Sequence, residues 1–112
     1  MANVYKNIQA VIDSAGSNVD MYTAPDETTS IVKSIKLYNT HSANLVVDIT
    51  VYDFSSTTDF EYDTVTVNTD NSVDLLTFNN VLVLEAGDIL KMQTPTTDVV
   101  KMTASVLQTS RT

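Results

Sequence analysis

The sequence predicts an all-β fold, an antiparallel sandwich of two sheets with about eight strands. Apolar and polar residues alternate with period two in nearly every segment, and no apolar stripe at helical spacing interrupts them. Val, Thr and Ile are abundant, whereas Gly and Pro occur only twice each, and this composition is typical of strands. We prefer a jelly roll to an immunoglobulin-like arrangement, because the Trp and Cys that mark immunoglobulin domains are absent.

The first predicted strand, residues 4–12, alternates cleanly. Its inward face carries the apolar residues Val4, Ile8, Ala10 and Ile12. A turn at residues 14–18 leads into a short strand at residues 19–23. That strand ends before Pro25, because proline has no amide hydrogen for strand pairing.

The strongest alternation spans residues 30–38 and 45–52. The residues of these runs that we predict to face the core are Ile31, Ile35, Leu37, Leu45, Val47, Ile49 and Val51. Only the turn-rich residues 39–44 separate the two runs. Because such a short connection favours antiparallel neighbours, we expect the two strands to form a hairpin at the centre of one sheet.

The C-terminal half continues the pattern with one irregularity. After a Ser/Thr loop at 54–59, the predicted elements are strands 60–67, 81–84, 89–93 and 99–107 and a frayed tail at 108–112. Gly87 and Asp88 form a tight turn between two of these strands. Residues 73–78 are predicted to be a strand edge or a bulge, because the adjacent Leu75 and Leu76 break the alternation.

Length and composition predict one domain, residues 1–112, with a single two-layer core. A chain with 43% hydrophobic and 18% charged residues is expected to fold rather than stay disordered.

The longest apolar runs, such as residues 81–84, are too short to span a bilayer. Residues 1–11 lack the basic region and apolar core of a signal peptide, so we expect the mature chain to begin near Met1. The absence of cysteine excludes disulfides and thiolate zinc sites within these residues.

The distribution of charge excludes one class of partner. The formal net charge is -8, and no Lys or Arg occurs between Leu37 and Leu90. Nucleic-acid binding depends on cations that neutralise phosphates, so we do not expect DNA or RNA as a partner. The acidic stretch is instead suited to solvent or to a basic partner surface.

No residue pattern indicates an enzyme. His41 is the only histidine and lies in a turn, and serine is so frequent that a Ser-His combination in sequence carries no weight. Gly16 and Gly87 are isolated, so there is no phosphate-binding loop. We therefore expect neither catalytic activity nor a cofactor.

Asp59, Glu61 and Asp63 alternate along a predicted strand and are expected to share one face. Calcium binds such clusters of oxygen ligands, which makes these residues weak candidates for a metal site. The spacing of an EF-hand loop is absent. We prefer an exposed acidic face that discourages pairing between strand edges, and we predict no bound metal.

Apolar and tyrosine side chains indicate contacts with a partner. The interface candidates are Val4, Tyr5, Tyr22, Tyr38, Tyr52 and Tyr62. Tyrosine suits an interface because its ring is apolar while its hydroxyl can stay hydrated. Packing between neighbouring strands of the same molecule explains the tyrosines equally well.

Two segments resemble small structural proteins of tailed bacteriophages. The first runs from Tyr22-Thr23-Ala24-Pro25 through Thr28-Thr29-Ser30-Ile31-Val32-Lys33-Ser34-Ile35 to Tyr38-Asn39-Thr40. The second is the hairpin Val83-Leu84-Glu85-Ala86-Gly87-Asp88-Ile89. The resemblance covers most of the chain and is a pattern of turns and strands. Asp26-Glu27 departs from it, because Gly is common at this turn in such proteins.

The resemblance implies a β-sandwich component of the virion without enzymatic activity. It favours a decoration or cement protein on the capsid exterior, most simply a homotrimer bound to the major capsid protein after assembly in the host cytoplasm. Residues 1–6 are then expected to contact the particle. The alternatives are a neck, tail or fibre attachment protein and, from another class, a small carbohydrate-binding β-sandwich, which the absence of Trp argues against. Neither nucleic acid nor a membrane is expected as a partner.

Overall fold

The structure is a computed structural model that describes residues 3–76, 81–97 and 99–110. Within these ranges the chain forms no helix, and hence none of the length and hydropathy needed to cross a membrane. The strands are β1 (Asn3–Val11), β2 (Val19–Thr23), β3 (Thr28–Asn39), β4 (Leu45–Asp53), β5 (Thr58–Val67), β6 (Ser72–Asp74), β7 (Leu82–Leu84), β8 (Ile89–Gln93) and β9 (Val100–Ser110). The prediction of an all-β fold is therefore confirmed.

The strands form two antiparallel sheets packed face to face. Sheet A has the order β1-β9-β3-β6, with β7 also pairing with β3, and sheet B has the order β2-β8-β4-β5. Since β6 and β7 pair with different stretches of β3, they share one strand position. The first strand thus pairs with the last, β2 with β8, β3 with β6 and β7, and β4 with β5. This is a long two-stranded ribbon wrapped around one core, which is the connectivity of a jelly roll.

The core lies between the sheets and is filled by the inward side chains of both. The largest fully buried side chains are Ile12, Ile35, Leu37, Ile49, Leu84, Leu90, Met92, Met102, Val32, Val47, Val67 and Val100. Removing these apolar groups from water is the main force that holds the sheets together. The inward face predicted for β4 is confirmed, because Leu45, Val47 and Ile49 are buried.

The predicted hairpin of residues 30–38 and 45–52 is wrong. β3 lies in sheet A and pairs with β9, β6 and β7, whereas β4 lies in sheet B and pairs with β5 and β8. The loop at residues 40–44 carries the chain from one sheet to the other. The apolar faces of β3 and β4 are therefore on opposite sides of the core. Alternation indicates which face of a strand is inward but does not identify its neighbour.

A β-bulge at Lys33 changes the phase of β3, because the register with β9 shifts between Val32 and Ser34. As a result Val32 is buried, whereas Ile31 is half-buried on the outer side of sheet A. The prediction that Ile31 faces the core is therefore wrong. One extra residue in a strand inverts the alternation on one side of the bulge.

Several strand boundaries also differ from the prediction. β9 continues to Ser110, so residues 108–110 of the predicted frayed tail pair with β3. β5 begins at Thr58, inside the predicted loop. β6 ends at Asp74, within the segment predicted to be irregular, and the last two residues of that segment lie outside the described residues.

Asn39, the last residue of β3, joins the two sheets at one end of the sandwich. Its side chain is fully buried, and its Nδ2 donates hydrogen bonds to the carbonyl oxygens of Ala43 at 3.0 Å and Val67 at 2.9 Å. Its Oδ1 accepts a hydrogen bond from the amide of His41 at 2.8 Å. Because Val67 is the last residue of β5 in sheet B, this single amide fixes the crossing loop to both sheets.

Asp88 has a corresponding role at the other end. Its buried carboxylate accepts hydrogen bonds from the amides of Phe54 and Glu85, each at 3.0 Å. Its carbonyl oxygen accepts one from the amide of Ala24 at 2.9 Å. The β2–β3, β4–β5 and β7–β8 connections therefore meet at this residue. The adjacent Gly87 has φ 89°, and a Cβ there would lie 2.7 Å from the Phe54 ring, so this turn requires glycine.

Leu37→Ala should lower the free energy of unfolding by ~2–5 kcal/mol, because it removes buried methyl groups and leaves a cavity. Leu37 is 0% exposed. Urea unfolding followed by circular dichroism measures the change. The matched control is Val46→Ala, at a 47% exposed position of β4. A loss for Leu37→Ala no larger than that of the control would show that the inward phase of β3 is wrong.

Asn39→Ala should lower the free energy of unfolding by at least about 2 kcal/mol, because two carbonyl oxygens and an amide lose their buried partner. Asn71→Ala is the control, since Asn71 is exposed and its Nδ2 makes one long hydrogen bond of 3.4 Å. Chemical unfolding of both variants provides the comparison. Equal losses would mean that Asn39 does not hold the sheets together.

Candidate interaction surfaces

Charge is divided unequally between the described strands of the two sheets. Sheet A carries mainly lysines: Lys6, Lys33, Lys36 and Lys101, with Asp74 as its carboxylate. Sheet B carries mainly carboxylates: Asp20, Asp48, Asp53, Asp59, Glu61 and Asp63, with Lys91 as its lysine. The strands of sheet A are therefore mainly basic and those of sheet B mainly acidic, although Lys6 is opposite the inward residue Val106 and does not belong to the outer face of sheet A. Such a pattern favours association with surfaces of opposite charge.

An apolar row crosses the outer face of sheet A from edge to edge. Tyr5 of β1 is opposite Leu107 of β9. On the far side of β9, Leu107 is opposite Ile31 of β3, and Ile31 is opposite Val83 of β7. Tyr5 is 75% exposed and Val83 is 53% exposed, while the two middle residues are half-buried. Because directly opposed side chains are in contact range, these four residues form one continuous apolar row.

Lysines occupy the other half of this face. Lys36 of β3 and Lys101 of β9 are exposed, and their partners in the register are Thr103 and Tyr38. Asp74 of β6 lies opposite Lys36. The apolar row is nearer the end with the β2–β3 turn, and the two lysines are nearer the opposite end. The outer face of sheet A thus has an apolar half and a basic half.

The outer face of sheet B places one lysine among carboxylates. Lys91 Nζ lies 3.5 Å from Asp59 Oδ1 and 4.9 Å from the centroid of the Tyr52 ring. The Asp59 side chain is 48% exposed, so water screens this ion pair and it contributes at most about 1 kcal/mol. Asp48 accepts a hydrogen bond from Thr64 Oγ1 at 3.0 Å on the same face. The face therefore keeps an excess of negative charge around a fixed lysine.

The interface candidates from the sequence do not lie on one surface. Tyr5 and Tyr38 are on the outer face of sheet A, and Tyr52 is on that of sheet B. Val4 is 44% exposed on the opposite side of β1, and Tyr62 is 41% exposed at an irregular point of β5. Of these residues, Tyr5 belongs to the apolar row. Contact with a partner stays a prediction for each of them.

Tyr22 differs from the other tyrosines because its hydroxyl is used inside the molecule. The hydroxyl lies 2.7 Å from Ser30 Oγ and accepts a hydrogen bond from Gln108 Nε2 at 2.7 Å. Tyr22 belongs to sheet B, whereas Ser30 and Gln108 belong to sheet A. Its position is thus explained by packing between the sheets.

Asp59, Glu61 and Asp63 do not share one face. The register between β5 and β4 contains a bulge, so that Asp63 is opposite Ile49 and Glu61 is opposite Thr50. Consecutive residues of a strand point to opposite faces, so the partners of Ile49 and Thr50 do so as well. The predicted alternation is therefore wrong here. Among the residues that the structure describes, no three His, Asp or Glu side chains are grouped so as to hold a metal ion.

β5 is an outer strand of sheet B, and one of its edges is not paired within the described chain. Its acidic side chains and its bulge are two devices that discourage one strand edge from pairing with another. All three carboxylates are exposed, but only Asp59 and Glu61, opposite Tyr52 and Thr50, share the outer face of sheet B, whereas Asp63 is on the other side of β5.

His41 contributes its backbone to the loop between β3 and β4. Its amide donates to Asn39 Oδ1, and its carbonyl oxygen accepts from Thr69 Oγ1 at 3.1 Å. The first bond holds the loop to the end of β3, and the second attaches it to the β5–β6 turn. The expectation that His41 is not catalytic stays a prediction.

Sequence patterns reveal only part of the apolar row. Tyr5 and Leu107 alternate with inward residues, which indicates that both are outward. Ile31 is hidden by the bulge at Lys33, because alternation assigns it to the core. The row itself depends on the register between four strands, and no pattern within one strand contains that information.

Comparisons with known proteins show the fold alone. No family model matches the chain, and no curated protein matches its sequence. The structure is similar to a solved structure from Bacillus endospore appendages, which are described as a novel family of disulfide-linked pili. The TM-score is 0.60 at 12% identity, over 98% of this chain and 89% of the other. At this identity the likeness supports a shared β-sandwich, and fold does not imply function.

Calcium should not stabilise the protein if the carboxylates of β5 do not form a site. A calcium site with a Kd of about 0.1–1 mM would raise the melting temperature by several degrees at roughly 5 mM calcium. We expect no such rise in differential scanning calorimetry, with magnesium at equal concentration as the control. A rise specific to calcium that disappears in Glu61→Gln would contradict the absence of a site.

Proposed function

We propose that this chain is a non-enzymatic structural subunit that acts in many copies within a larger protein assembly. The apolar row on the outer face of sheet A carries the proposal. Isolated exposed apolar residues are ordinary, but a contiguous apolar strip beside polar surface is typical of a contact site. Two of its four residues are more than half exposed, so the strip is accessible in the single copy.

The finer proposal is a decoration protein on the capsid of a tailed bacteriophage. It is supported by the resemblance of the two segments that begin at Tyr22 and Val83 to structural proteins of such phages. These segments are in contact in the structure, since the amide of Gly87 donates a hydrogen bond of 3.0 Å to the carbonyl oxygen of Ala24, and the amide of Ala24 donates one to the carbonyl oxygen of Asp88. The two segments therefore meet at one end of the sandwich, where Ala24, Gly87 and Asp88 lie. A homotrimer bound to the major capsid protein is the arrangement that the resemblance implies.

The second candidate role is that of a subunit of a filament or a surface appendage. The fold likeness to a Bacillus pilus structure favours this role. Those pili are described as disulfide-linked, whereas the 112 residues of this chain contain no cysteine. A filament of this chain would therefore depend on non-covalent contacts alone. Weak contacts that are repeated many times suffice for that purpose, because each copy is held at several points.

The test is to determine where the protein is found. Particles released by cells that express the encoding genome should be purified through a density gradient and analysed by mass spectrometry and electron microscopy. We expect this chain in the particle fraction at many copies per virion, on the capsid exterior. Its presence in separate filaments would support the second candidate role. Its absence from every assembly, with the chain present only as a free monomer, would refute the structural role.

A further inference from the structure

We propose that copies of this protein stack through unlike faces, with the outer face of sheet A of one copy against the outer face of sheet B of the next. The inference rests on the proposed role as a multi-copy subunit and names its partner as a second copy of this chain. Three properties of the two faces support the proposal: their charge, the positions of their apolar groups, and the opposite directions in which the two outer faces point.

Charge makes the two faces complementary. Lys36 and Lys101 are exposed on the outer face of sheet A. Asp48 and Glu61 lie on the outer face of sheet B: Glu61 of β5 is opposite Thr50 of β4, and Asp48 is two residues before Thr50 on β4. Contact between two A faces would oppose mainly lysines, with Asp74 as the exception, and contact between two B faces would oppose mainly carboxylates, with Lys91 as the exception. Contact between an A face and a B face pairs lysines with carboxylates, and like-charge repulsion therefore suppresses the other two modes.

Apolar groups also match when the copies have the same orientation. Ile89 and Tyr52 are directly opposite each other on the outer face of sheet B, and both are half-buried. They lie at the end of the sandwich where Asp88 joins the turns. The apolar row of sheet A, with Ile31 and Leu107 at its centre, is in the half nearer the same end.

When the second copy is stacked in the same orientation as the first, Ile89 and Tyr52 of one copy lie near the apolar row of the other. The same stacking places the lysines of sheet A over the half of sheet B that contains Asp48. One orientation satisfies both the charges and the apolar groups. A copy turned end over end would place the lysines over Ile89 and Tyr52 instead.

The directions of the faces determine the form of the assembly. The outer faces of the two sheets of one copy point in opposite directions, so a pair of stacked copies still has one free A face and one free B face, at its two ends. A contact between unlike patches extends as an open row unless a rotation closes it into a ring. We therefore expect a series of oligomers that grows with concentration rather than a single closed trimer.

Net charge affects the conditions of the experiment. Each copy has a formal net charge of -8, which opposes association at low ionic strength. At roughly 0.1 M salt the Debye length is about 10 Å, so repulsion between whole molecules is screened while groups in direct contact still interact. The measurement therefore belongs near that ionic strength.

The experiment uses two charge-reversed variants of the full chain. The A-face variant carries Lys36→Glu and Lys101→Glu, and the B-face variant carries Asp48→Lys and Glu61→Lys. The control variant carries Asp26→Lys and Glu85→Lys, which are exposed turn residues that change the net charge as the B-face variant does. Circular dichroism and thermal unfolding verify that each variant is folded. Sedimentation equilibrium over a wide concentration range measures association.

Wild type and the control variant should associate as an open series. Each face variant alone should associate at least about tenfold more weakly, because it opposes like charges at every contact. An equimolar mixture of the two face variants should regain association, since the intact A face of one meets the intact B face of the other. A mixture that stays monomeric, or face variants that associate like wild type, would overturn the proposal.

Failure of this inference is distinguishable from failure of the structural role. Wild-type protein that remains monomeric at all concentrations in solution overturns stacking of copies. The structural role is tested separately, by the presence of the chain in purified particles or filaments. A protein found on particles but monomeric in solution would retain the structural role and lose the stacking.

Discussion

The position of β9 is the constraint on which the rest of the structure depends. This last strand lies between β1 and β3 and pairs with both, so sheet A is not complete until the C-terminal strand is in place. Its inward residues Val100, Met102, Ala104 and Val106 are all buried. Since β9 pairs with the first strand of the chain, the sheet is built from contacts that are distant in sequence, and such topologies fold slowly. Leu107, on the outward side of the same strand, connects the apolar row across the sheet.

The division of charge between the faces follows from the same topology. The outward lysines Lys36 and Lys101 occur in β3 and β9, and the jelly roll pairs these two strands in sheet A. Carboxylates are concentrated in β4 and β5, which the connectivity places in sheet B. The sequence contains a long stretch without cations, from Leu37 to Leu90, but that stretch includes strands of both sheets. The opposition of two charged faces therefore exists only in the folded molecule.

Sequence alternation correctly predicted the all-β class, the sandwich and the inward face of β4, because burial of one side of each strand selects a period of two. It failed where one residue changes the phase, at Lys33 in β3 and at the bulge of β5, since a bulge is a tertiary adjustment of one strand to its neighbour. It also failed on the partner of β3, because neighbouring positions in sequence need not be neighbours in a sheet.

Two polar residues that hold the ends of the sandwich were not identifiable from sequence. Asn39 and Asp88 lie in segments that the sequence predicts to be turns, where Asn and Asp are common for local reasons. Their buried contacts join segments far apart in the chain, such as Asn39 with Val67 and Asp88 with Phe54. The apolar row was not identifiable from the sequence either. The acidic composition is visible in the sequence, but the apolar row requires the register of four strands.

Zero-length cross-linking tests the central claim, the contact between unlike faces, most directly. A carbodiimide joins a lysine amine to a carboxylate only when the two are in contact, and a mixture of ¹⁴N and ¹⁵N protein distinguishes links between copies. The Lys91 to Asp59 pair, 3.5 Å apart, provides an internal positive control within one copy. The account predicts links between copies from Lys36 or Lys101 to Asp48 or Glu61. Links between copies from these lysines only to Asp74 of sheet A, or none at all, would contradict it.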